Sequence, residues 1–286
     1  MNPYTEEDVG NIIALEHVNI QVPDQLQAIL FYVVGLGFTR DPYLTVGLTN
    51  MWINVGEQQF HLPTRAAQVI EGHIGVVVPD IDALESRLGS VGDGLQGSKF
   101  SFERKADYLV ATCPWGNHYR CHQSQPRFGE MTLGIPYVEF SVRPGTMHSI
   151  IGFYQAAFGV PVGVENDAEG LQGRVRIGRC QWLSFREKAT PIPPYDGHHI
   201  AIYVANFSGP YAYLKSRRLI SEDVRNHQFR FRDIVDPENG KPVFALEHEV
   251  RSLRHPMYHR PFINRDPAQS QRAYHRGWDA LVPFQR

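Results

Sequence analysis

Leu15-Glu16-His17-Val18-Asn19-Ile20-Gln21-Val22-Pro23-Asp24 is the stretch on which the reading of this chain turns. Val18, Ile20 and Val22 alternate with His17, Asn19 and Gln21, which is the period of a β-strand with one apolar and one polar face. A helical stretch ending in Phe31-Tyr32 follows, and then Gly35-Leu36-Gly37-Phe38. The plan returns three times. His73-Ile74-Gly75-Val76-Val77-Val78-Pro79-Asp80 repeats the opening strand, with one offset separating both His17 from His73 and Pro23 from Pro79. Tyr137-Val138-Glu139-Phe140-Ser141-Val142 repeats it again, and a second offset is shared by His17 to Glu139 and Phe31 to Phe153. His199-Ile200-Ala201-Ile202-Tyr203-Val204 opens a fourth unit. Offsets that hold across both a strand and a helix mark internal repetition.

Each unit reads as a strand, a helix and three strands, which predicts an α+β chain of four βαβββ units. Later strands are expected at Met51 to Val55, Gln58 to Leu62, Tyr108 to Cys113, His118 to His122, Arg174 to Ile177, Gln181 to Arg186, Phe229 to Val235 and Val243 to Glu249, between Gly, Pro and Asn turn signals. The expected divisions are a first domain over residues 12–125, a polar linker over 126–133, a second domain over 134–250 and a basic arm over 251–286. With 286 residues, 42% of them hydrophobic, two domains are the natural expectation. The arm carries Arg251, Arg254, Arg260, Arg265, Arg272, Arg276 and Arg286, and reads as an irregular extension.

A formal net charge of −2 offers no concentrated basic field, which argues against nucleic acid and anionic membranes as partners. A small-molecule substrate is expected, with a second copy of the chain as an admissible partner. The first residues hold Glu6, Glu7 and Asp8 and lack a basic segment followed by an apolar run, so a cytoplasmic location is expected. Cys113, Cys121 and Cys180 read as reduced thiols.

Alternation also selects the candidate functional residues. On the polar faces it groups His17, His61, His73 and Arg120 in the first half of the chain, and Glu139, Ser184, His199 and Glu247 in the second. His198 falls on the apolar face with Ile200 and Ile202, which leaves His199 for the pocket.

Glu16-His17-Val18, Phe60-His61-Leu62, Gly72-His73-Ile74-Gly75, Cys113-Pro114-Trp115-Gly116-Asn117, Gly197-His198-His199-Ile200-Ala201 and Asp236-Pro237-Glu238-Asn239-Gly240 leading to Glu247 together resemble the vicinal-oxygen-chelate superfamily. That superfamily includes glyoxalase I and the type I extradiol dioxygenases. The resemblance covers residues 12–250 and implies paired units forming two half-barrel domains, with metal ligands on the first and last strands of the units. Carried over by position, it implies a divalent cation (Mn, Fe or Zn) on Glu139, His199 and Glu247. A second candidate site falls on His17, His61 and His73. Arg120 stands there in place of a fourth, carboxylate ligand and suits a substrate carboxylate. His227 and Tyr203 are the expected proton-handling groups, and Arg120 and Trp182 the expected substrate contacts. The implied activity is a metal-dependent enzyme acting on a small oxygen-rich compound, either extradiol-dioxygenase-like or glyoxalase, isomerase or lyase-like. A metal-free protein that sequesters a small molecule through Trp52, Trp182 and Arg120 is the other open reading.

Overall fold

The strand–helix–three-strand unit is present four times in a computed structural model that describes residues 8–44, 49–266 and Arg272. The first unit holds β1 (Ile12–Asn19), α1 (Gln25–Ala28, prolonged by a π-turn over Ile29–Gly35), β2 (Thr39–Arg40), β3 (Asn50–Val55) and β4 (Gln58–Pro63). The second holds β5 (Gly72–Val77), α2 (Ile81–Ser90), β6 (Ser101–Arg104), β7 (Leu109–Thr112) and β8 (His118–His122). The third comprises β9 (Gly134–Val142), α3 (Met147–Phe158), β10 (Val162–Asp167), β11 (Gly170–Gly178) and β12 (Gln181–Glu187). The fourth comprises β13 (His199–Val204), α4 (Ser208–Ser216), β14 (Ile220–Arg225), β15 (Gln228–Val235) and β16 (Pro242–Ser252). No helix among the described residues is long and apolar enough to cross a membrane.

The repeated Val-Pro-Asp has a local cause. Asp24 accepts the backbone N–H groups of Leu26 and Gln27, and Asp80 those of Asp82 and Ala83, so each aspartate caps the helix that follows its strand. Helix α3 buries Met147, Ile150, Ile151, Tyr154 and Phe158 at helical spacing and stops at Gly159, whose φ of 64° closes it in the left-handed conformation.

Two eight-stranded mixed sheets result. The first has the order β14-β15-β16-β13-β1-β4-β3-β2, the second β10-β11-β12-β9-β5-β8-β7-β6. In every unit the opening strand runs parallel to the closing one. The short strands β2, β6, β10 and β14 escaped the sequence reading. Each lies at or near a sheet edge, and β10 and β14 are exposed along most of their length, so they carry little apolar alternation to detect. The closing strand β16 runs on to Ser252, beyond the expected Glu249.

The described residues divide into two compact units, one holding Asp8 to Glu16 and Tyr137 to Arg260, the other His17 to Pro136 and Pro261 to Asp266. In the former, Phe140, Phe153, Tyr154, Phe185 and Phe231 are fully or almost fully buried. The buried Tyr154 hydroxyl meets His248 Nε2 at 2.7 Å. In the latter, Phe31, Tyr32, Phe60 and Tyr119 form the aromatic core, and the hydroxyls of Tyr32 and Tyr119 meet at 2.6 Å. The segment 126–133, read as a polar linker, forms a short 3-10 turn and buries Phe128, Met131 and Leu133. Of the basic arm, Asn264 is buried and exchanges two hydrogen bonds with the backbone of Gly56, at 3.0 and 2.9 Å. Arg276 and Arg286 lie outside the described residues.

Candidate metal centre

Strand register decides which side chains meet. Between β13 and β16, His199 stands opposite Glu247, Ala201 opposite Glu249 and Tyr203 opposite Arg251. The intervening residues Ile200, Ile202, His248 and Val250 turn to the apolar core and are fully buried. Between β1 and β4, His17 stands opposite Gln59 and Asn19 opposite His61. Trp52 on β3 pairs with His61 and stacks on it, with ring centroids 3.9 Å apart and planes at 11°. Its ring also meets His17 edge-on at 5.0 Å.

His199 on β13 and Glu249 on β16 lie on the same face of their strands, one rung apart, and both are buried. An imidazole and a carboxylate are donors that first-row divalent ions accept with coordination positions left over.

Glu249 is held at both oxygens. Arg251 Nε donates to Oε1 at 2.5 Å, and Arg230 Nη2 donates to Oε2. Arg251 also donates to Glu16 Oε2 at 2.7 Å, while Arg230 donates to Glu247 Oε1 at 2.5 Å and lies 3.4 Å from Glu222. Burial alone disfavours the charge on Arg251, but Glu16 and Glu249 outweigh it and raise its pKa further. Burial likewise raises the pKa of Tyr203, with Glu16 adding to the effect, so its hydroxyl keeps its proton at neutral pH. Carboxylates that ligate metal ions are usually hydrogen-bonded in this way.

The expected trio Glu139, His199 and Glu247 is not brought together. Glu139 lies on β9, in the second sheet, where Arg186 takes both of its oxygens at 3.1 and 3.2 Å. Glu247 is on the predicted face but one rung short of Glu249, and bonds Arg230. The trio His17, His61 and His73 is divided in the same way, since β1 and β4 belong to the first sheet and β5 to the second. His227 has an exposed side chain at the β14–β15 turn, with φ at 65°. Trp182 lies under Arg174, whose guanidinium carbon is 4.1 Å from the ring centroid, and half-buried Arg120 lies over the Tyr108 ring at 5.3 Å.

One rule relates the four units. Asn19 faces His61, Gly75 faces Arg120, Ser141 faces Arg186 and Ala201 faces Glu249, each pair two residues beyond the opening-strand positions His17, His73, Glu139 and His199. The first sheet therefore carries His61 and Glu249 at its closing-strand positions, and the second carries Arg120 and Arg186. Arginine cannot ligate a metal. The signal for Glu249 was present in the sequence as a carboxylate on the correct face, but the rung depends on how far β16 runs and on its register with β13.

Among solved structures, a candidate dioxygenase from Bacillus subtilis is 15% identical with a TM-score of 0.56, the alignment covering 86% of each chain. Glyoxalase I from Zea mays is 14% identical with a TM-score of 0.57, covering 83% of this chain and 92% of its own. The chain shares the paired strand–helix–three-strand fold of these two proteins. At such identities the likeness concerns the fold alone. No family model matches the sequence, and no curated protein matches it.

Proposed function

We propose that this chain is a divalent-metal-dependent enzyme of the vicinal-oxygen-chelate type acting on a small oxygen-bearing organic molecule, with His199 and Glu249 among its ligands. The buried imidazole and carboxylate one rung apart on β13 and β16 carry the reading. The names of the solved relatives, a glyoxalase and a candidate dioxygenase, agree with it. A bound divalent ion supplies Lewis acidity to a substrate oxygen. Tyr203, on the same side of β13 as His199, holds a hydroxyl proton at neutral pH that a substrate oxygen can share.

The test is elemental analysis of protein purified without chelator, for the native chain and for His199→Ala and Glu249→Gln. One Mn, Fe or Zn per chain is expected in the native protein, with loss in both variants at unchanged circular dichroism. Glu139→Gln should retain the metal. A native protein that takes up none of these ions, or one whose ion survives both substitutions, refutes the proposal.

A further inference from the structure

We infer that Arg230 and Arg251 are positioning residues that fix the Glu249 carboxylate in the orientation that brings it to His199, a role that rests on the reading of Glu249 as a ligand. Arg230 on β15 stands directly opposite Glu249 on β16, and Glu222 on β14 stands opposite Arg230. The three side chains form a row of alternating charge across neighbouring strands. Arg251 approaches the other carboxylate oxygen from two residues along β16. Each guanidinium is in turn anchored by further acids, Arg251 by Glu16 and Arg230 by Glu247 and Glu222.

The arrangement does more than neutralise a buried charge. One arginine would suffice for that, and it would leave the carboxylate able to rotate about its terminal torsion. Two guanidinium groups on opposite oxygens, Arg251 on Oε1 and Arg230 on Oε2, remove that freedom. The acids Glu16, Glu222, Glu247 and Glu249 outnumber the two arginines, so the surroundings still attract a cation. Arg251 is almost wholly buried, whereas the Arg230 side chain keeps 23% of its exposure and is the safer one to replace.

The experiment is a Co2+ titration of the full chain followed by visible absorption, for the native protein, Arg230→Gln, Arg230→Lys and the control Arg104→Gln, whose arginine lies on β6 and pairs with Asp82 and Glu85. Loss of a partner that orients a metal ligand weakens metal binding about 10–100-fold, so Arg230→Gln should do so and shift the cobalt absorption bands at saturation. Arg230→Lys should recover much of the affinity, and Arg104→Gln should match the native chain. If Arg230→Gln does not fold, Glu247→Gln loosens the same arginine and should weaken Co2+ to a smaller extent. Unchanged or tighter binding in Arg230→Gln, or in Glu247→Gln where that variant stands in, would mean that the guanidinium acts only as an opposing charge, and overturns the inference while leaving the ligand assignment intact. A native chain that binds no Co2+ overturns both.

Discussion

Replacing Arg186 by methionine should destabilise the fold by about 3–5 kcal/mol, the usual penalty for stranding one partner of a buried ion pair. The magnitude follows from the partners. Arg186 Nε and Nη2 bond the two oxygens of Glu139 at 3.1 and 3.2 Å, Nη1 and Nη2 bond Asp167 at 2.9 and 2.7 Å, and Nη1 also reaches the Gly170 carbonyl at 2.9 Å, which uses all five N–H donors. Asp167 is 42% exposed and returns to water when the arginine goes, whereas Glu139 is 4% exposed and cannot. Nearly the whole loss therefore lies on Glu139. Glu139→Gln should lose about 1–3 kcal/mol, since Arg186 keeps Asp167 and an amide oxygen, and the double variant should recover part of the deficit of Arg186→Met. Urea denaturation of the three variants, with metal content measured in parallel, tests this. A loss below about 1 kcal/mol for Arg186→Met would show that Glu139 finds another partner or accepts a proton without strain, and refutes the argument. Loss of the metal in a folded Arg186→Met chain would contradict the assignment of the ligands to the other sheet.

Two further outcomes follow from buried groups. Burial pushes His248 down to about 3, and His122 likewise, with Arg127 and Arg120 adding to the effect on the latter. Between that value and about 6.5 the unfolded chain binds protons that the folded chain refuses, so stability falls as pH is lowered through this window, by up to about 1.4 kcal/mol per pH unit for each group. His248→Leu should reduce the slope of unfolding free energy against pH between 6 and 4, whatever its effect on absolute stability, and an unchanged slope would exclude a buried neutral imidazole. Gly56 has φ of 67°, and a Cβ there would stand 2.0 Å from the Leu133 carbonyl oxygen. Gly56→Ala should therefore lose more than the roughly 1–2 kcal/mol of a left-handed alanine alone, and a variant melting within a degree of the native protein would disprove the clash.

The sequence by itself determined the repeated unit, because strand alternation and helix caps are local. His17, Val18 and Asn19 state which side chains share a face, and Asp24 and Asp80 end their strands by capping the next helix, whatever the rest of the chain does. It also determined that His17, His199 and an acid of the last strand lie on polar faces. Tertiary structure decided which of those faces belong to one sheet. Glu139 sits in a strand as regular as that of His17, yet its strand joins the second sheet, beside Arg186. The choice between Glu247 and Glu249 was equally closed to sequence, because residues two apart on a strand share a face and only hydrogen-bond register with the neighbouring strand sets the rung. Sheet order and register are fixed by pairings between residues far apart along the chain, and the chain's local alternation carries no record of them.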